Sequence, residues 1–327
     1  MKLCFLFRHL LCLLAMFRCS FSVLESADQT SLKLDINSTS VISSEMLSAI
    51  LTGRQRMDRD AIYYLGLLYK YGLSMPRSIS LALDNFKLAA DLGHTEAQTA
   101  CGVILLQNAE LQNSEIAREY LVSAADANDA HAQLILAKHY LEINEHTRST
   151  KSNSELNDAL KYLHLATNAE WTRAEALHYL GVMSEYGIGT TQNFERAAEY
   201  YKLAVDLKSK ESLYNLALMY AYGRGISQDF ARAGSLFMTA AQANHAPSMY
   251  YLGIMRAYGY GVEIDYHKAR DWFQKAVAAD DERVLQRAAA SLREIDGHLA
   301  QASEYTEGVG NLYPRVEIMD ENGMPIG

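Results

Sequence analysis

The side chains best equipped for chemistry are few, and their spacing suits none of the common reactions. His139, Glu142 and His146 fall within one stretch, but their order is not the H-E-x-x-H of a zinc-binding helix, so no metal is expected. His94, His131 and His245 each stand near the start of a repeat unit, too far from one another to share an ion, and read as cap or core residues. Asp280-Asp281-Glu282 and Asp158 read as a solvated turn and a helix start rather than a general acid–base pair. Cys101 lies in the apolar run ACGVILL and reads as a small buried residue, because a nucleophilic thiol needs a positioned base and none is implied. The Tyr-Gly-x-Gly segments at 186–189, 222–225 and 258–261 differ from phosphate-binding loops in following a helical pattern where those follow a strand. No catalytic, cofactor-binding or metal-binding residue is assigned, and the chain is read as a non-enzyme.

What remains is recognition. Tyr64, Tyr179, Tyr214 and Tyr250 or Tyr251 recur at related positions in a chain holding 21 tyrosines. Most must be core, and any surplus would form a hot-spot surface for a peptide or a partner helix. Arg224, Arg256 and Tyr260 depart from their repeat neighbours. With Tyr214 and Tyr250 they are the groove candidates, and the expected partner is another protein. A net charge of −9 without a basic run excludes nucleic acid, whose affinity comes mainly from phosphate neutralisation.

Residues 1–22 carry Lys2 and Arg8, an apolar run Leu10–Phe17 and small polar residues up to Ser22, the pattern of a cleaved signal peptide. That run is too short to span a bilayer, so no direct membrane span is expected in the mature chain. The expected address is the secretory pathway, ER lumen or exterior. Arg18 beside the cleavage region and the lack of an acid before Glu25 keep the mitochondrion as the alternative. Three of the four cysteines (Cys4, Cys12, Cys19) lie in this leader, so a disulfide framework is not available to the mature chain. Residues 23–57 read as a Ser/Thr/Asp-rich linker followed by a short amphipathic capping helix, Glu45–Met57. Asn37-Ser38-Thr39 is a glycosylation sequon, with Asn37 the acceptor.

Residues 58–300 are organised by repetition. Unit starts recur at Ala61, Ala97, Ala132, Ala176, Ser212 and Ser248, with a half copy at Val284, roughly every 36 residues. The one longer step contains an insertion, Ile143–Glu155. The first helix of a unit carries Leu-Gly or Leu-Ala, as at Leu180-Gly181 and Leu216-Ala217, then ends on Tyr-Gly. The second helix is keyed by alanines at 82, 117, 159, 197, 233 and 269, with bulky residues three and four places on and alanine again at seven. Positions i, i+3, i+4 and i+7 share one helical face, which only a neighbouring unit can bury, so the units must stack. The second unit has Gln107-Asn108-Ala109 in place of the glycine turn, and in the first Asn85 takes the place of the usual aromatic. After Arg283 a final helix closes the array, and 301–327 reads as a flexible tail.

The L-G-x-x-Y-x-x-G-x-G and A-x-x-Y/W-F/Y-x-x-A-A patterns over Ala61–Arg283 resemble the Sel-like repeat (SLR) family, relatives of the tetratricopeptides. The resemblance implies an all-α fold, a right-handed α/α superhelical solenoid of about six helix-turn-helix repeats. It also implies a non-catalytic adaptor or scaffold whose concave groove holds a segment of another protein. For a secretory member it implies a substrate-receptor or adaptor subunit in ER-associated degradation. Two alternatives come with it. One is a secreted β-lactamase-like hydrolase, which in the family goes with a cysteine pair in each repeat, not found here. The other is a self-assembling structural scaffold, which the polar residues Arg287, Arg293 and Glu294 of the last helix oppose.

Overall fold

The computed structural model describes residues 43–107, 113–141 and 152–305, with side chains as far as Ala300. The leader, Asn37, the Asn108-Ala109 part of the second turn, most of the insertion and residues 306–327 lie outside the described residues. Fourteen helices and no strands are found among the described residues. The helix α1 (Ser44–Gln55) precedes six pairs: α2 (Arg59–Tyr71) with α3 (Ile79–Asp91), α4 (Thr95–Gln107) with α5 (Ser114–Asp126), and α6 (Ala130–Leu141) with α7 (Asn153–Ala166). They continue as α8 (Glu170–Tyr186) with α9 (Phe194–Asp206), α10 (Lys210–Tyr222) with α11 (Phe230–Gln242), and α12 (Ala246–Tyr258) with α13 (Tyr266–Ala278). The lone helix α14 (Leu285–Tyr305) covers the end. Each helix packs on the next in the chain, and first helices of successive units also touch, α4 with α6 and α6 with α8. The result is a solenoid whose core is a series of hydrophobic clusters set along the stack.

Local chemistry sets the helix ends. Ser78, Asn113, Ser152, Asn193, Asp229 and Asp265 each accept a backbone N–H at the start of a second helix, satisfying a donor that has no partner within the helix. Ser152 makes a full capping box with Glu155. Asn153–Glu155 are therefore the first turn of α7 and not part of the insertion, which ends before the cap. At the far end, α14 runs to Tyr305, into the segment read as tail. The helix expected over Glu45–Met57 occupies Ser44–Gln55.

Packing follows the alanine columns. Alanines 82, 117, 159, 197, 233 and 269 are fully buried, as are 89, 124, 166, 204, 240 and 276. Between them sits a bulky knob, Phe86, Leu121, Leu163, Tyr201, Phe237 or Phe273, each at most 1% exposed. The knob enters against the small residue of the unit's own first helix. A Cβ on Gly181 would lie 2.4 Å from the Tyr201 ring, so glycine is required for that approach. Removing one such ring leaves a cavity worth about 3–5 kcal/mol. The second glycine of the turn has a further role. Gly225 has φ +67° and touches the preceding unit, where a Cβ would meet the Phe194 carbonyl carbon at 2.3 Å. It thus locks adjacent units together as well as reversing the chain.

Asn85 explains its own departure from the repeat. It is buried, donates from its amide to the Leu81 carbonyl at 2.7 Å, and accepts from Arg54 Nε of α1 at 3.1 Å. The first unit has a capping helix as neighbour, and a polar side chain ties it down where the later units use Tyr120, Tyr162, Tyr200, Leu236 and Trp272.

Candidate interaction face

The second helices cover one side of each first helix and leave the other open. On α8 the open side is Glu175, Tyr179, Val182 and Tyr186, spaced i, i+4, i+7 and i+11 and therefore in one line. The same register on α2 holds Asp60, Tyr64, Leu67 and Tyr71, and on α10 Glu211, Asn215, Leu218 and Tyr222. All twelve are partly or fully exposed, whereas the intervening positions are mostly buried. On these three helices the line reads acidic, aromatic or amide, aliphatic and then a rim tyrosine; α4 carries Glu96, Ala100, Val103 and Gln107 in the same register, and α6 His131, Ile135 and Lys138. In the third unit Lys138 takes the aliphatic place, and its ammonium bonds Glu175 Oε1 of the next unit at 2.6 Å. It also lies 5.6 Å from the Tyr179 ring centroid. Burial works against the Lys138 charge, but the bond to Glu175 holds its pKa above the ordinary lysine value.

The sequence-derived groove residues fall into two groups. Tyr214 and Tyr250 stand one residue off this line and are wedged inward: Tyr214 lies 6.0 Å from Phe237 and 5.1 Å from His245, and Tyr250 lies 5.7 Å from Phe273. They meet through Tyr251, 5.8 Å from Tyr214 and 5.7 Å from Tyr250, and the Arg287 guanidinium lies 5.9 Å over Tyr250. Arg224 and Tyr260 belong to the turns. Arg224 lies 5.0 Å over the rim ring Tyr222. Tyr260 stacks on Phe230 of the preceding unit at 5.3 Å and works in the seam between units. Arg256 is half-buried on α12, and its carbonyl accepts the Asp265 N–H at 2.8 Å.

Titratable groups elsewhere serve structure. His94 and His245 use Nδ1 to accept backbone N–H groups at the starts of α4 and α12. Burial, reinforced by Arg283, lowers His245 to about 4, so it caps as a neutral acceptor. His131 is exposed, and Asp129 caps α6 in its stead. Of the expected turn acids, Asp281 is held below the usual carboxylate range by its bond to Arg283 at 2.6 Å. Cys101 is fully buried, which pushes its thiol up to about 12 and leaves it protonated. Among the described residues no group of His, Cys, Asp and Glu is placed to hold a metal.

Sequence reasoning passed over two features. One is the acidic row Asp60, Glu96, Glu175 and Glu211, visible only when the residue before each unit start is aligned as a column of its own. The other is a buried pair, with Tyr201 donating to Glu185 Oε2 at 2.8 Å in the fourth unit. Its signal was the hydroxyl itself, since the column elsewhere holds only apolar side chains, Phe86, Leu121, Leu163, Phe237 and Phe273.

The Sel1 repeat model matches residues 59–94, 95–129, 174–209, 210–245 and 246–281, more than half of the chain. This chain belongs to the Sel1 repeat family. The segment between the second and third matched repeats is the unit that carries the insertion. An uncharacterized protein of Neisseria meningitidis serogroup B is 28% identical over 150 residues, 46% of this chain and 30% of its own length. This Sel1 repeat chain thus spans under a third of that curated relative. Among solved structures, a protective antigen of uropathogenic Escherichia coli displaying an SLR fold aligns with TM-score 0.62 and 21% identity. It covers 83% of this chain and 61% of its own. A Sel1 repeat protein from Oxalobacter formigenes aligns with TM-score 0.59 and 22% identity over 72% of this chain and 97% of its own. At these identities the likeness is one of fold. Sel1 repeat proteins are generally protein-interaction scaffolds, and the family is typically non-catalytic. Among the described residues no helix is long and apolar enough to cross a membrane.

Proposed function

We propose that this chain is a non-catalytic adaptor whose first-helix face holds a segment of another protein. The observation that carries the reading is the open line on the first helices of the first five units, which repeats in register and stays partly exposed. A surface of aliphatic and tyrosine side chains flanked by charge is suited to a peptide or helix, which would complete the burial that the second helices leave undone. The secretory address rests on the leader in residues 1–22 and the sequon at Asn37. On that address, the role implied by the family resemblance is an adaptor or substrate receptor in ER-associated degradation.

Site-specific photocrosslinking tests the face. A photoreactive residue at Val182 should yield partner adducts, and one at Leu203, 51% exposed on the second helix α9, should not. Equal adducts from both positions, or none from Val182, would refute the groove. The address is tested by glycosidase treatment of protein from its native cells. A mobility shift abolished by Asn37→Gln is expected, whereas an unglycosylated chain with its leader intact would remove the secretory reading.

A further inference from the structure

We infer that the segment held on the first-helix face is basic, an extended stretch bearing lysine or arginine; this rests on the groove reading above. Two sets of observations point the same way. In the first, second, fourth and fifth units one edge of the face is set by Asp60, Glu96, Glu175 and Glu211, each exposed, with His131 at that position in the third. The cations beside them are Lys138, bound to Glu175, Arg59, 3.6 Å from Asp60, and Lys210, next to Glu211, with its ammonium bonded to the Ala243 carbonyl at 3.3 Å. Along this edge the four acids outnumber the three cations, and Lys70 and Arg224 lie instead at the tyrosine rim. The field reaches the aromatic row: Tyr64 is pushed up to about 12 by burial and then by Asp60, Glu96 and Asp58. The rings themselves already take cations from within the chain. Lys138 lies 5.6 Å over Tyr179, Lys70 lies 5.4 Å over Tyr71, and Arg224 lies 5.0 Å over Tyr222. At Asp60 with Tyr64, and at Glu175 with Tyr179 where Lys138 already shows the mode, a lysine or arginine finds a carboxylate and a ring in adjacent rows, the arrangement that favours a cation over a neutral side chain.

The same chemistry argues against the other occupants. A second copy brings a net charge of −9, and nucleic acid brings phosphate. The chain's own residues 306–327 contain Glu307, Glu317, Asp320 and Glu321 against Arg315. An acidic segment would be repelled along the edge formed by Asp60, Glu96, Glu175 and Glu211. Beyond them the last helix presents Arg287, so the preference belongs to the N-terminal and central part of the face.

The test uses the full chain and three synthetic, unstructured peptides of one length, identical except that they carry lysine, glutamine or glutamate at the same positions. Fluorescence anisotropy at low and physiological salt reads the affinities. The lysine peptide should bind tightest and weaken with salt. The exposed double variant Glu175→Gln, Glu211→Gln should weaken it by about three- to tenfold and leave the glutamine peptide unchanged. Tyr179→Ala, with its fold checked by circular dichroism, should weaken every peptide that binds. Preference for the glutamate or glutamine peptide, or equal binding of all three, combined with sensitivity to Tyr179→Ala, overturns the charge inference and keeps the groove. Binding of none of the three, or binding indifferent to Tyr179→Ala, overturns both.

Discussion

Changing Tyr201 to phenylalanine removes one oxygen from the middle of the array. The ring stays sterically suited, because phenylalanine occupies the same column at 86, 237 and 273 and meets a glycine in the same way at Gly66 and Gly253. What is lost is the bond from the Tyr201 hydroxyl to Glu185 Oε2 at 2.8 Å, both residues being buried. Burial, and then the Glu185 carboxylate, keep the phenolic proton well above its ordinary titration range, so the hydroxyl is a donor at every accessible pH. A hydrogen bond to a charged group contributes about 1.5–3 kcal/mol. Tyr201→Phe should therefore cost about 1.5–3 kcal/mol. Glu185→Ala should also destabilise, leaving a buried hydroxyl without its acceptor. The double variant should cost less than the sum by about 1–3 kcal/mol, because two apolar groups need no partner. Alanine already stands at the position equivalent to Glu185 in the next two units, as Ala221 and Ala257. Urea unfolding midpoints give the energies. Amide exchange gives the place: it should quicken in α8, α9 and α10 and hold steady in α2 to α5, since units in a linear array feel only their neighbours. A neutral Tyr201→Phe, or costs that simply add in the double variant, refute the pairing.

Three further outcomes are expected. Gly225→Ala forces a Cβ into the Phe194 backbone at positive φ and should cost about 2 kcal/mol or more, visible as a lower thermal midpoint, whereas Gly297→Ala, with nothing within 4 Å of the added carbon, should not lower it. His245 takes a proton near 6.5 when unfolded but resists until about 4 when folded, so the unfolded chain binds more protons in between and stability falls as pH drops through that window. His245→Ser, which keeps a capping oxygen, should flatten that slope in urea midpoints measured from pH 7 to pH 4. Native protein treated with a thiol reagent should show Cys101 unmodified by peptide mass mapping and fully modified in urea, and native labelling would contradict its burial.

The acidic row and the Asn85 tether show how far the chain can be read in one dimension. Asn85 was visible as a departure from its column, but its meaning lay 31 positions away in Arg54, with which it bonds only once α1 has docked. Tyr214, Tyr250 and Tyr260 stood out by type, yet type does not say which way a ring turns. Their neighbours Phe237, Phe273 and Phe230 draw them toward the core, while Tyr64 and Tyr179 remain on the open line.

The architecture was determined by sequence alone, because a solenoid core is made of short-range, periodic contacts. Alanine columns, capping residues and paired glycines recur at fixed offsets, and each acts within its own unit or the next. Tertiary structure decided which side of each first helix stays open and which tyrosines stand on it. It also decided how Lys138 reaches Glu175 and why Tyr201 needs its hydroxyl. Those depend on side chains brought together from different units, where exposure is set by what the neighbours cover and not by spacing along the chain.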